Sequence, residues 1–226
     1  MSYYPLFFEL GALRVLLAGA GEVGRRKAAD LLAASPQSLL WLDPLVEERA
    51  LPENLRGHPA LRYVQREAVP EDALGCGLVF AAADSRAVNE NLALFCRGRG
   101  IPCNVADNPR EGNFIVPARF FSGDFALALS TGGQSPALAG LMCRELEKWY
   151  KEKYEALLKL LGRLRPLVLA GGGDPARHAE LFRAVAQSEL GDALNRRDGR
   201  RAGRILRRLL PESLHQRIED LLHDLY

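Results

Sequence analysis

One short segment constrains this chain more than any other: Gly19-Ala-Gly-Glu-Val-Gly24, set between an apolar run and a helical one. Residues 13–18, LRVLLA, read as a buried strand, and residues 25–34, RRKAADLLAA, have helical composition. Between a strand and a helix, each glycine has a physical task. Gly19 permits the tight turn, Gly21 places no side chain in the path of a pyrophosphate, and Gly24 lets helix and strand approach. The helix start then offers unpaired N–H groups to phosphate. Gly19, Gly21, Glu22, Val23 and Gly24 are therefore candidate dinucleotide contacts. The competing reading is a glycine turn that holds no ligand.

The pattern repeats downstream. Residues 38–42 (SLLWL), 61–64 (LRYV), 78–82 (LVFAA) and 101–106 (IPCNVA) read as strands, and 86–98 as a helix with Val88, Leu92 and Phe95 on one face. Alternating strands and helices predict an α/β fold, a Rossmann-type doubly wound parallel sheet. Asp43 closes the second strand, 22 residues beyond Gly21. A carboxylate there accepts from ribose hydroxyls and repels a 2′-phosphate, which favours NAD over NADP. The competing reading of Asp43 is a turn-initiating residue before Pro44, and Arg25 and Arg26 keep NADP open. Pro44 and Ala83 complete the candidate cofactor contacts.

After Asp107 the pattern changes. FIVPARF and FALALS flank Ser122-Gly123-Asp124 and predict a hairpin. In Thr131-Gly-Gly-Gln-Ser-Pro136, Ser135 suits a cap and Pro136 the first helical turn. From Ala137 only helices are expected, broken at Gly171–Pro175 and again between Asp192 and Gly203. The expected division is a dinucleotide domain over 1–112, a small β dimerisation segment over 113–148, and an all-helical carboxy-terminal domain over 149–226.

Composition bounds the partners. Thirty Lys+Arg against 28 Asp+Glu gives a net charge of +2, which argues against nucleic acid. No apolar run reaches the ~20 residues of a membrane span, and MSYYPLFFEL does not read as a signal peptide, so a cytoplasmic location is expected. Cys76, Cys96, Cys103 and Cys143 form no CxxC pair and read as reduced core thiols. His178, His215 and His223 show no metal-ligand grouping. Of the 30 cations 25 are arginine, a bias toward anionic ligands. Arg196, Arg197, Arg200, Arg201, Arg204, Arg207 and Arg208 read either as a surface for an anionic partner or as a solvated face paired with Glu212, Glu219 and Asp220.

Further motifs narrow the reading. Tyr4-Pro-Leu-Phe-Phe8 precedes the first strand. Gly19–Lys27, Ala82-Ala-Asp84 with Asn89, Asn104-Val-Ala-Asp107, Phe114-Ile-Val-Pro117 and Leu129-Ser-Thr-Gly-Gly-Gln-Ser-Pro136-Ala-Leu-Ala139 follow. In this order and spacing they resemble the precorrin-2 dehydrogenase/sirohydrochlorin ferrochelatase family, which includes the amino-terminal module of siroheme synthase. The resemblance covers about residues 3–150 and extends to the tail only in length and character.

It implies a homodimeric, NAD-dependent enzyme that oxidises precorrin-2 to sirohydrochlorin. Two alternatives remain: a bifunctional enzyme that also inserts Fe(II) or Co(II), and a non-catalytic NAD-sensing module. The resemblance places the catalytic aspartate at Asp107. Asp107 follows the fifth strand of the run, where ligands of open α/β sheets lie, and oxidation needs a base for the proton. A loop aspartate capping Asn108-Pro109 is the competing reading. Asp84, the other strand-end carboxylate, reads as a cap for the following helix. Ser130, Thr131, Gly132 and Gly133, at a helix start, are candidates to hold a substrate carboxylate. The family's siroheme synthase module has serine at the position of Thr131, and its residue at the position of Asp43 is commonly small or neutral.

Overall fold

The apolar runs of the amino-terminal half form five short strands: β1 (Arg14–Ala18), β2 (Ser38–Leu42), β3 (Leu61–Val64), β4 (Leu78–Ala81) and β5 (Cys103–Val105). The computed structural model describes residues 3–225 and divides into two units, at Val116 and Pro117. In the first, all five strands are parallel, in the order β3-β2-β1-β4-β5. Val15, Leu16, Leu17 and Ala18 are all buried, as a central strand covered on both faces requires. One face, with Val15, Leu17, Leu39, Trp41 and Phe80, packs on Ala28, Leu31 and Leu32 of α1 (Glu22–Ala33). The other, with Leu16, Ala18, Val79 and Val105, packs on Val88, Leu92 and Cys96 of α2 (Arg86–Arg99).

The chain runs outward from β1 to β3 and then returns to β4 on the other side of β1. The carboxyl ends of β1 and β4 therefore flank the switch point, where open sheets bind ligands. Packing there is at its limit. Gly19 has φ +100°, and a Cβ on it would fall 2.0 Å from the carbonyl oxygen of Ala82. A Cβ on Gly24 would fall 2.0 Å from the carbonyl oxygen of Gly19. Ser85, not Asp84, caps α2: its hydroxyl accepts from the Val88 N–H at 3.5 Å. The backbone stays extended through Ser85, so the helix starts one residue later than an Asp84 cap needs. Gly100, left-handed at φ 68°, ends α2.

The second unit opens with the antiparallel hairpin β6 (Ala118–Ser122) and β7 (Phe125–Leu129). Gly123 takes φ 57° at its turn. Phe120 and Phe125 pack on Tyr150 of α3 (Pro136–Lys153), the Phe125 and Tyr150 rings stacked at 3.9 Å. Ser135 caps α3 by accepting from the Leu138 N–H at 3.2 Å. Among the described residues five more α-helices follow: α4 (Glu155–Ala170), α5 (Pro175–Gln187), α6 (Leu190–Asn195), α7 (Gly199–Leu209) and α8 (Ile218–Leu222), the last preceded by a 3₁₀ helix over Glu212–Arg217. Leu160, Leu164, Leu190, Leu194, Leu206 and Ile218 form their common core.

The α7 helix buries Ala202, Gly203, Ile205 and Leu206 and turns Arg200, Arg204, Arg207 and Arg208 to solvent. Among the described residues, Arg201 pairs with Glu189, and no ion pair joins this arginine run to Glu212, Glu219 or Asp220. Of the two readings of the arginine run, the paired face is thus not formed among the described residues; Asp220 is engaged by Arg217 instead. The four cysteines are free. No described helix is long and apolar enough to cross a membrane.

Two alanine substitutions separate close approach from helix propensity. Gly24→Ala is expected to destabilise the protein by about 2–3 kcal/mol or more, because backbone rather than a flexible side chain must move. Gly98, inside α2, is the converse: a methyl added there would meet nothing within 4 Å. Gly98→Ala should stabilise by about 0.5–1 kcal/mol. Denaturant unfolding of both variants checks the pair.

Candidate active site

The glycine turn is held from three sides by backbone and indole donors. The Gly19 N–H donates to the Leu42 carbonyl at 2.8 Å, and the Ala82 N–H to the Ala18 carbonyl at 2.9 Å. Trp41 Nε1 donates to the Gly19 carbonyl at 2.8 Å. Asp43 supplies the acceptor side. Its Oδ2 accepts from the Ala20 N–H at 2.7 Å, and its Oδ1 from the N–H groups of Leu45 and Val46, both at 2.8 Å. Asp43 is only 8% exposed. A carboxylate has about four acceptor positions, so about one is left for a ribose hydroxyl. Asp43 thus organises the turn through Pro44 to Val46 and also faces the site.

Arg25 is drawn into the same scaffold, its Nε donating to the Ala20 carbonyl at 3.0 Å. Tyr63 donates its hydroxyl to the Val46 carbonyl. Burial first, then the negative charges of Asp43 and Glu48, push the phenol up to about 12, with Arg25 opposing.

At the switch point these elements enclose a cavity of about 200 Å³. Its walls include Gly19, Asp43, Pro44, Ala83, Asp84 and Val88. Gly21 adjoins it: a Cβ there would meet only Asp84 Oδ1, at 3.8 Å. No side chain caps α1. The first-turn N–H groups of Glu22, Val23 and Gly24 therefore lack the partner that most helix starts have. An open glycine before an uncapped helix start, with a carboxylate at the end of the next strand, fits a dinucleotide.

Asp107 follows β5 and is not part of that wall; its side chain is 42% exposed. Its Oδ1 accepts from Asn89 Nδ2 at 3.2 Å, and Arg86 Nη1 lies 3.9 Å from its Oδ2. Arg86 also pairs with Glu90 and Glu111, each at 2.7 Å. The turn after β7 lies in the second unit. There the Ser130 hydroxyl accepts from the Gly132 N–H at 3.1 Å, and Thr131 Oγ1 from the Ser135 N–H at 3.1 Å. Gly132 and Gly133 are left-handed, at φ 64° and 85°. Among the described residues no group of three His, Cys, Asp or Glu is placed to hold a metal ion.

Sequence reasoning passed over several contributors. Trp41 read only as a strand residue, because its indole bond to Gly19 depends on register. Lys27 Nζ donates to Asn104 Oδ1 at 2.9 Å, which links α1 to β5. That pair is 77 residues apart and leaves no local signal.

Fold and site together define a nucleotide-binding α/β protein. The chain belongs to the family described as "Putative NAD(P)-binding", whose model matches residues 6–118. It is 33% identical over 208 residues to Siroheme synthase 3 of Aeromonas hydrophila, covering 91% of this chain and 43% of that protein. With the siroheme synthase of Pseudomonas fluorescens strain SBW25 it shares 32% identity over 208 residues, 91% of this chain and 44% of the relative. The chain thus spans less than half the length of these curated relatives. Among solved structures, the fold is similar to that of SirC, a precorrin-2 dehydrogenase, with a TM-score of 0.70 and 24% identity. That match covers 83% of this chain and 91% of SirC.

Asp43→Ala strands the N–H groups of Ala20, Leu45 and Val46, so a loss of about 2–4 kcal/mol is expected in denaturant unfolding. Tyr63 gives a test by pH. Its proton is held more tightly in the folded protein, so its contribution is complete below pH 10 and is lost as pH rises toward about 12. Tyr63→Phe should flatten the fall in stability across that window.

Proposed function

We propose that this chain is an NAD-dependent dehydrogenase that oxidises precorrin-2 to sirohydrochlorin. The observation that carries the reading is the joining of two things: the dinucleotide-type cavity at the switch point, and similarity to siroheme synthases over 91% of the chain. Oxidation removes a hydride and a proton from the substrate. Bound NAD supplies the hydride acceptor. The protein's own task is to orient the macrocycle and to take the proton, and Asp107 is assigned as that base. Gly19, Gly21, Gly24, the N–H groups of Glu22 and Val23, and Pro44 and Ala83 are assigned to the cofactor. Asp43, at the end of β2 and in the wall of the cavity, supports NAD over NADP. Ser130, Thr131, Gly132 and Gly133, at the start of α3, are assigned to a carboxylate of the anionic substrate.

The proposed division remains a dinucleotide domain to residue 112, a dimerisation segment over 113–148 and a helical domain beyond it. Homodimerisation is supported by α3, which exposes Leu138, Leu141, Met142 and Trp149, large apolar side chains that solvent does not favour. A cytoplasmic location fits the free cysteines.

An anaerobic assay with precorrin-2 and NAD, followed by absorbance, tests the reading. NAD-dependent formation of the sirohydrochlorin spectrum is expected, and Asp107→Asn should lower kcat by about 10²–10⁴ while the protein stays folded. Near-full activity of that variant overturns the base assignment. An unchanged NAD/NADP preference in Asp43→Ala overturns the ribose argument. NAD binding with no spectral change overturns the dehydrogenase itself and leaves a sensing module. Conversion to a metallated spectrum faster than the spontaneous rate, after Fe(II) or Co(II) is added, would extend the activity to chelation.

A further inference from the structure

Asn89 lies on α2 and is 1% exposed. A carboxamide has one acceptor oxygen and two N–H donors. Here Oδ1 accepts from the Ala83 N–H at 3.0 Å, and Nδ2 donates to the Ala83 carbonyl at 2.9 Å and to Asp107 Oδ1 at 3.2 Å. The first two bonds lock the side chain against the backbone of Ala83 on both sides of its Cα, and Ala83 lines the cofactor cavity. The third then reaches the carboxylate after β5. One buried amide thus ties the ends of two neighbouring strands together.

We infer that Asn89 is a positioning residue that fixes the Asp107 carboxylate relative to the wall of the cofactor cavity. The inference rests on the assignment of Asp107 as the base. The other charged groups around Asp107 serve less well. Arg86, from α2, lies 3.9 Å from Oδ2, is exposed, and is shared with Glu90 and with Glu111 of the loop after β5. Exposed, shared ion pairs hold geometry poorly. Asp84, after β4, lines the cavity and repels rather than holds a second carboxylate. A purely structural Asn89 needs only its two bonds to Ala83; the bond to Asp107 is what a positioning role adds.

Two measurements test this. In the dehydrogenase assay, Asn89→Ala should lower kcat by about tenfold or more and change KM for precorrin-2 by less than about threefold, since small misplacement of a reacting group is costly. In an Asp107→Asn background the same substitution should change kcat by less than about twofold, because coupled residues do not act additively. Equal losses in both backgrounds overturn the inference. The second measurement needs no turnover and no Asn89 variant. In ¹⁵N-labelled protein, Asp107→Ala should shift the Asn89 side-chain amide resonances, and resonances left in place overturn the inference. Near-full activity of Asp107→Asn overturns the base assignment and the inference with it, even where the amide contact holds. An inactive Asp107→Asn with an unmoved Asn89 amide in Asp107→Ala overturns the inference alone.

Discussion

The peptide of Gly19 meets the peptide of Ala82 with no room for a side chain between them, and the first unit is arranged around that contact. The approach requires glycine for space and for its backbone angle at once. It brings the ends of β1 and β4 together at the place where the strand order reverses. The start of α1 presses on the same point through Gly24. With both neighbours fixed, Trp41 and Asp43 at the end of β2 reach the turn by hydrogen bonds of 2.8 and 2.7 Å. The cavity is the space that remains beyond these contacts, so its shape follows from backbone packing more than from flexible side chains.

Much of this was legible in the sequence, for physical reasons. Buried parallel strands leave continuous apolar runs, and 38–42 and 61–64 were bounded as the structure has them. Runs at 101–106 and 78–82 read longer than the observed Cys103–Val105 and Leu78–Ala81; Ala82, Pro102 and Ala106 still bond a neighbouring strand, but only once each, at the frayed ends of the ladder. The hairpin and the α3 cap followed from turn chemistry, which is local. What could not be read was pairing at a distance. The sequence does not say that Asp43 spends three acceptor positions on backbone, that Arg25 leans on Ala20, or that Asn89 reaches from α2 to Asp107. The expected Asp84 cap of α2 is wrong for the same kind of reason: aspartate and serine both cap helices, and only the backbone angle decides for Ser85.

The two units are built on different logics. The first concentrates its polar detail at one end of a sheet whose faces are plain aliphatic packing. The second has its small sheet stapled to a helix by three aromatic rings, Phe120, Phe125 and Tyr150, and its remaining helices share a leucine-rich centre. Its polar surface carries mostly ordinary helix caps and i,i+4 pairs such as Lys151–Glu147 and Lys159–Glu155.

The arginine face of α7 departs from that pattern. Arg200, Arg204 and Arg208 stand four residues apart, so like charges meet along one side of the helix. A surface of matched pairs loses support when salt is added. Between these three arginines ions instead screen repulsion, over roughly 10 Å at 0.1 M. Repulsion along this face therefore falls as the ionic strength of the surrounding fluid rises.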